Sequence, residues 1–217
     1  MNRLTLLLSL LLFPLYLWAA EPTPSFTAGK EYQVVEPSAD YNNLPKDKVL
    51  VQEFFSYGCP ACYRMEPTLQ TWLKKKPTNV EFDRIPVVFE TNWATYARAY
   101  YAAKALGILT KITPDLFTAI QDHKEDLSSK EAMGKFFGKY GINQEAFTNT
   151  YELSPGIGIQ LKNADSLMTT YKVYEVPTII VGGRYKTSAM MVNGDEKKFI
   201  QMVNYLIDLE MKQQVKK

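Results

Sequence analysis

The chain has 217 residues, 46% of them hydrophobic and 22% charged, a balance that supplies a buried core and excludes a disordered chain. Twenty-five Lys and Arg against 23 Asp and Glu leave a net charge of +2, too even to suggest a nucleic-acid partner or an acidic substrate. Two cysteines and one histidine exclude a zinc finger or ribbon, and a disulfide-stapled miniprotein as well.

Residues 1–20 read as a signal peptide. Arg3 gives a positive start, residues 4–17 form a largely apolar run, and Trp18-Ala19-Ala20 then meets the polar Glu21-Pro22-Thr23-Pro24. The run is short for a membrane span. Trp18 stands where cleavage after Ala20 prefers a small residue, so an uncleaved anchor is the alternative. No cysteine lies nearby for lipoprotein processing. The segment marks a bacterial-style exported protein, expected to work where disulfides form and persist.

Residues 32–35 are a short strand candidate, and residues 49–57 give the strongest strand signal. That run is β-branched and aromatic and mostly apolar on both faces, as a central strand would be. Gly58-Cys59-Pro60-Ala61-Cys62 follows at once, and a helix is predicted to about Lys75. Met65, Leu69, Trp72 and Leu73 form its stripe, with a kink at Pro67. Residues 80–89 are a second strand, interrupted by Pro86.

From Thr91 to about Gly158 the pattern is helical. Trp93, Tyr96, Ala97, Tyr100, Ala103 and Leu106 recur at helical spacing until Gly107. Thr113-Pro114 reads as a cap followed by Pro at the first helical position. Ser128 and Glu131 read as a capping box for a helix through Phe136 and Phe137, ending at Gly141. A helix over about 159–171 comes next, then strands at 178–181 and 185–188 around the hairpin signal Gly182-Gly183-Arg184. A last amphipathic helix carries Phe199, Val203, Leu206 and Leu209 on one face. The fold class is α/β. One sheet domain, in two parts at residues 21–90 and 159–217, is split by an inserted all-helical domain at residues 91–158.

Cysteines three apart at a helix start face the same side of the first turn, within reach of a disulfide. Free N–H groups and the helix dipole stabilise negative charge there, so the first thiol should be the more acidic. A thiolate attacks disulfides, and a low-pKa thiolate also leaves well. Cys59 is therefore the expected nucleophile and Cys62 the resolving thiol. Three alternatives compete. A structural disulfide rarely closes so short a loop, because little chain entropy is removed. A metal half-site lacks partner residues. Haem attachment needs His after the second cysteine, and Tyr63 stands there.

Residues 54–63, Phe-Phe-Ser-Tyr-Gly-Cys59-Pro60-Ala61-Cys62-Tyr63, the helical insertion, and Val176-Pro177-Thr178 with its following hairpin together resemble the DsbA family over essentially the whole mature chain. The resemblance implies a thioredoxin fold (a central mixed β-sheet flanked by helices) and periplasmic thiol–disulfide exchange. It implies that Val176 and a cis Pro177 sit beside the disulfide and hold substrate backbone. It also implies that Glu53 is a partly buried carboxylate serving proton transfer to the buried thiol, with Glu36 a weaker second member of that charge group. Position supports Glu53, which interrupts an apolar strand; burial should raise its pKa. A solvent-facing Glu53 is the alternative.

One departure matters. Many relatives carry Cys-Pro-His-Cys, and this chain has Ala61 where the histidine would donate to the thiolate. Cys59 should be less acidic, and its disulfide less oxidising, than in those relatives. His123 reads as a surface residue. The leading expectation is a monomeric enzyme that donates its Cys59–Cys62 disulfide to reduced or unfolded exported proteins. It needs no cofactor and no metal, and a DsbB-like membrane oxidase regenerates it. The alternatives are a periplasmic reductase or isomerase, and a non-catalytic chaperone or binding module whose cysteines form a clip.

Overall fold

Residues 49–55 form the strand around which the sheet is built. Val49, Val51 and Glu53 point to one face and Leu50, Gln52 and Phe54 to the other, and six of the seven residues are buried. The computed structural model describes residues 25–36, 45 and 47–214. The signal-peptide reading of residues 1–20 lies outside the described residues.

Among the described residues, five strands make one mixed sheet: β1 (Gln33–Val34), β2 (Val49–Phe55), β3 (Val80–Pro86), β4 (Thr178–Val181) and β5 (Tyr185–Ser188), in the order β1-β5-β4-β2-β3. β2 and β3 run parallel, and the other pairs are antiparallel. A parallel pair needs a crossover, which α1 (Pro60–Leu73) provides. Gly182 and Gly183, at φ +60° and +63°, make the tight turn between β4 and β5 that only residues tolerant of positive φ allow.

Two apolar cores sit around the sheet. Val49, Val51, Met65, Leu69 and Trp72 pack with Ile179, Phe199, Val203 and Leu206, which joins α1 and α7 (Glu196–Gln214) to the strands. Phe54, Phe55 and Ile180 pack instead against α2 (Trp93–Ala105), α3 (Leu109–Gln121), α4 (Lys130–Gly138), α5 (Gln144–Tyr151) and α6 (Pro155–Thr170). The aromatics of the helical block, Phe117, Phe137 and Phe147, are fully buried core residues.

Several local expectations shift. Thr113-Pro114 does not start a helix: α3 begins at Leu109 and runs through Pro114. An interior proline costs about 3 kcal/mol. Ile112, Leu116 and Phe117 are almost wholly buried on this helix, and each such side chain contributes about 1.5–3 kcal/mol, so their burial outweighs that cost. The cap of α4 is Ser129, not Ser128: Ser129 accepts from the N–H of Ala132 at 3.1 Å, while the Ser128 hydroxyl turns to Asp126. That helix ends at Gly138 rather than Gly141. β3 stops at Pro86, and α6 starts four residues early with Pro155 in its first turn. Asn143 caps α5 through the N–H of Ala146.

Candidate active site

The buried strand β2 delivers Ser56-Tyr57-Gly58 and then Cys59 to the N-terminus of α1. Cys59 has extended backbone, φ −89° and ψ 114°, and is the N-cap. Its sulfur takes the place usually held by a Ser or Asp oxygen, accepting the N–H of Cys62 at 3.2 Å. Pro60 stands in the first turn, where its missing N–H costs nothing. Gly58 leaves space for a neighbour: a Cβ there would lie 2.2 Å from Trp93 Nε1, so the indole packs directly on the loop. Gln121 Nε2, from α3, donates to the Tyr57 carbonyl at 2.7 Å.

Both cysteines are free thiols in this structure. Cys59 is 5% exposed and Cys62 1%, so even the outer sulfur is largely enclosed. Part of its cover is the loop before β4. The Cys59 thiol donates to the Val176 carbonyl at 3.4 Å, and the Val176–Pro177 peptide bond is cis. The sheet thus brings residues 117 positions apart into contact.

The two thiols differ electrostatically. The hydrogen bond from Cys62 holds the Cys59 thiol below its ordinary pKa, helped by the backbone N–H groups of Cys62 and Ala61 and opposed by burial. Burial pushes Cys62 well above its ordinary value, and the neighbouring Cys59 adds to the rise. Ala61, partly exposed, contributes its backbone N–H to this arrangement and no side-chain donor.

Glu53 is 2% exposed and lies on the α1 side of β2. Its cross-strand neighbour on β3 is Arg84, whose Nε donates to the Glu53 carboxylate at 2.6 Å. Arg84 also grips Glu66 of α1, through Nη1 at 3.2 Å and through Nη2. One guanidinium thus serves two buried carboxylates. Burial raises the Glu53 carboxyl to about 7, against the pull of Arg84, and Glu66 reinforces the rise.

Sequence reasoning found Glu53 but not Glu66 or Arg84. Each is a charge at a position whose helical or strand period points inward, and that is the signal that would have found them. Glu36, read as a second member of the group, is exposed past the end of β1 instead. His123 is at the surface, 3.7 Å from Glu125.

A cysteine pair capping the first helix of a mixed sheet, opposite a cis proline, defines a dithiol–disulfide protein of the thioredoxin class. The chain belongs to the DsbA family: the model of the DSBA-like thioredoxin domain matches residues 50–202. The thiol:disulfide interchange protein DsbA of Burkholderia cepacia is 37% identical over 190 residues, covering 86% of this chain and 89% of the relative. The protein of the same name from Pseudomonas aeruginosa is 33% identical and covers 97% of each chain. The crystal structure of Pseudomonas aeruginosa DsbA superposes with a TM-score of 0.79 at 32% identity, over 88% of this chain and 97% of the other. The Xylella fastidiosa oxidoreductase DsbA gives 0.76 at 26% identity, over 87% and 98%.

Proposed function

We propose that this thiol–disulfide oxidoreductase donates its Cys59–Cys62 disulfide to reduced exported proteins. A substrate thiolate attacks Cys59 Sγ, the Cys59–Cys62 bond breaks, and Cys62 leaves as the reduced partner. The second substrate thiolate then attacks the substrate sulfur of the mixed disulfide and releases Cys59 as a thiolate. The substrate dithiol is oxidised by two electrons, and the protein disulfide is reduced to the dithiol. The observation that carries this reading is the Cys59 sulfur at the N-cap, accepting the Cys62 N–H at 3.2 Å. It favours the thiolate released in the second step, and therefore favours giving the disulfide away.

Cys62, held well above its ordinary pKa by burial, is a poor leaving group unless it receives a proton. Glu53, raised to about 7, holds one for much of the time near neutrality, and we assign it that delivery. Val176 and Pro177 hold the substrate backbone beside Cys59. Residues 91–158 are taken as the inserted helical domain, residues 1–20 as a cleaved export signal and the periplasm as the working compartment. A DsbB-like membrane oxidase would re-form the disulfide.

Ala61 favours a second reading, a reductase or isomerase, because it gives the Cys59 thiolate no side-chain donor. The test is to mix the oxidised protein with a reduced dithiol peptide. A donor converts one peptide per protein molecule to the disulfide, and Cys62→Ser, which has no internal disulfide to give, leaves the peptide reduced. Oxidised protein that leaves the peptide reduced would overturn the reading.

A further inference from the structure

Next to Val176 stands a charge that the thiol chemistry does not use. Glu175 is half-buried, between Tyr174, which is 83% exposed, and Val176, whose carbonyl accepts the Cys59 thiol. Its carboxylate accepts a hydrogen bond from Ser188 Oγ at the end of β5. The same Ser188 oxygen accepts the backbone N–H of Met191 at 3.3 Å. Met191 belongs to a short 3-10 turn, Met190–Val192, in which Met190 is 70% exposed. One side chain therefore links the loop before β4 to the turn after β5.

The link is not isolated. Ser188 is the cross-strand neighbour of Thr178, and Thr178 Oγ1 donates to the Glu175 carbonyl at 2.7 Å. Lys186, two residues earlier and on the same face of β5, donates from Nζ to the carbonyls of Tyr171 at 3.2 Å and Lys172 at 3.1 Å. The Ala189 N–H donates to the Pro177 carbonyl at 3.2 Å. Residues 185–189 thus fasten residues 171–177 at both ends, and the Glu175 attachment directly precedes Val176, whose carbonyl accepts the Cys59 thiol.

We infer that Glu175 is a positioning residue for the substrate: its bond to Ser188 holds the Val176–Pro177 backbone and the Met190 turn as one rigid rim, so a reduced peptide meets a preformed edge beside Cys59. The inference rests on the disulfide-donor reading and adds to it a residue two positions before the proline. A rim ordered before binding spares the complex the cost of ordering it afterwards, and that gain is read in substrate affinity rather than in the chemistry at sulfur. The carboxylate acts as a hydrogen-bond acceptor, so an uncharged acceptor of the same shape should serve.

The experiment is single-turnover oxidation of a reduced dithiol peptide by the oxidised protein, at a series of peptide concentrations. The equilibrium with glutathione is measured on the same preparations. Glu175→Ala and Ser188→Ala should each raise the half-saturating peptide concentration about three- to tenfold, the range that one net hydrogen bond supplies. Limiting rate and glutathione equilibrium should stay within about twofold. Glu175→Gln should behave like the parent, and the double alanine variant should be no weaker than either single one, because both remove the same link. Unchanged half-saturation in both alanine variants would overturn the inference. So would failure of Glu175→Gln to rescue, or a loss confined to the limiting rate. A parent protein that does not oxidise the peptide would instead overturn the donor reading, and the rim assignment with it.

Discussion

Replacing Glu53 by glutamine should stabilise the protein above neutral pH and change little near pH 5. The cause is the crowding of Glu53, Glu66 and Arg84, all three buried, with two carboxylates for one guanidinium. Burial moves the Glu53 carboxyl from an ordinary 4.5 to about 7. Between those values the native protein keeps a proton that the unfolded chain has released, so raising the pH through this window favours unfolding. Each pH unit costs at most about 1.4 kcal/mol, giving about 3 kcal/mol over the window. The substituted amide cannot ionise, and Arg84 keeps Glu66 as its counter-charge. Urea unfolding at pH 5 and pH 8 measures the difference, in a Cys59→Ser/Cys62→Ser background that removes thiol titration. The parent should lose about 3 kcal/mol relative to Glu53→Gln between the two values. If both proteins show the same pH dependence, Glu53 does not titrate in this window and its assignment as proton carrier falls with it.

Other expectations are more local. Cys59→Ser and Cys62→Ser should each abolish peptide oxidation; offered instead a peptide whose single cysteine carries an activated disulfide, Cys62→Ser should displace the leaving thiol and keep the peptide on Cys59, seen as a mass increase on intact protein, whereas Cys59→Ser should not. In the reduced protein at neutral pH, an alkylating reagent should modify Cys59 well before Cys62, since one thiol is held below and the other well above its ordinary pKa; equal rates would contradict the asymmetry. Ala61→His should make the disulfide more oxidising, by about 30 mV for each tenfold gain in thiolate stability, measured against glutathione. Gly58→Ala places a Cβ 2.2 Å from Trp93 Nε1, and moving a rigid indole should cost about 1–3 kcal/mol in thermal or urea unfolding.

The features written in short-range pattern were legible in the sequence. The β-branched run at 49–57, the cysteines soon after it and the paired glycines before Arg184 each fix a local shape, and the structure has β2, which stops at Phe55, the α1 N-cap and the β4–β5 turn there. Helix starts were less legible, because burial competes with local signals. At Pro114 the enclosure of Ile112 and Leu116 prevails over a proline cue, and at Ser128 a bond to Asp126 moves the cap on by one residue.

The charge cluster was half visible for a similar reason. Glu53 stands out as one acid in an apolar strand, but its partner is fixed by β2–β3 register, which opposes Glu53 to Arg84 across 31 residues. Glu36 was a plausible partner in sequence, yet the sheet order leaves β1 at the far edge from β3. The cis bond before Pro177 is equally silent in sequence, since an X-Pro bond can adopt either isomer. Glu175 gave no signal, because its meaning depends on Ser188 lying across the β4–β5 hairpin.

The most direct test of the donor reading is the equilibrium of the protein with glutathione redox buffers, following the Cys59–Cys62 pair by alkylation and mass. A cap-stabilised Cys59 thiolate predicts a potential well above the roughly −180 mV of protein disulfide isomerase, even with Ala61 in the dipeptide. A potential near the roughly −270 mV of thioredoxin would contradict it, and would make the protein a reductase or isomerase.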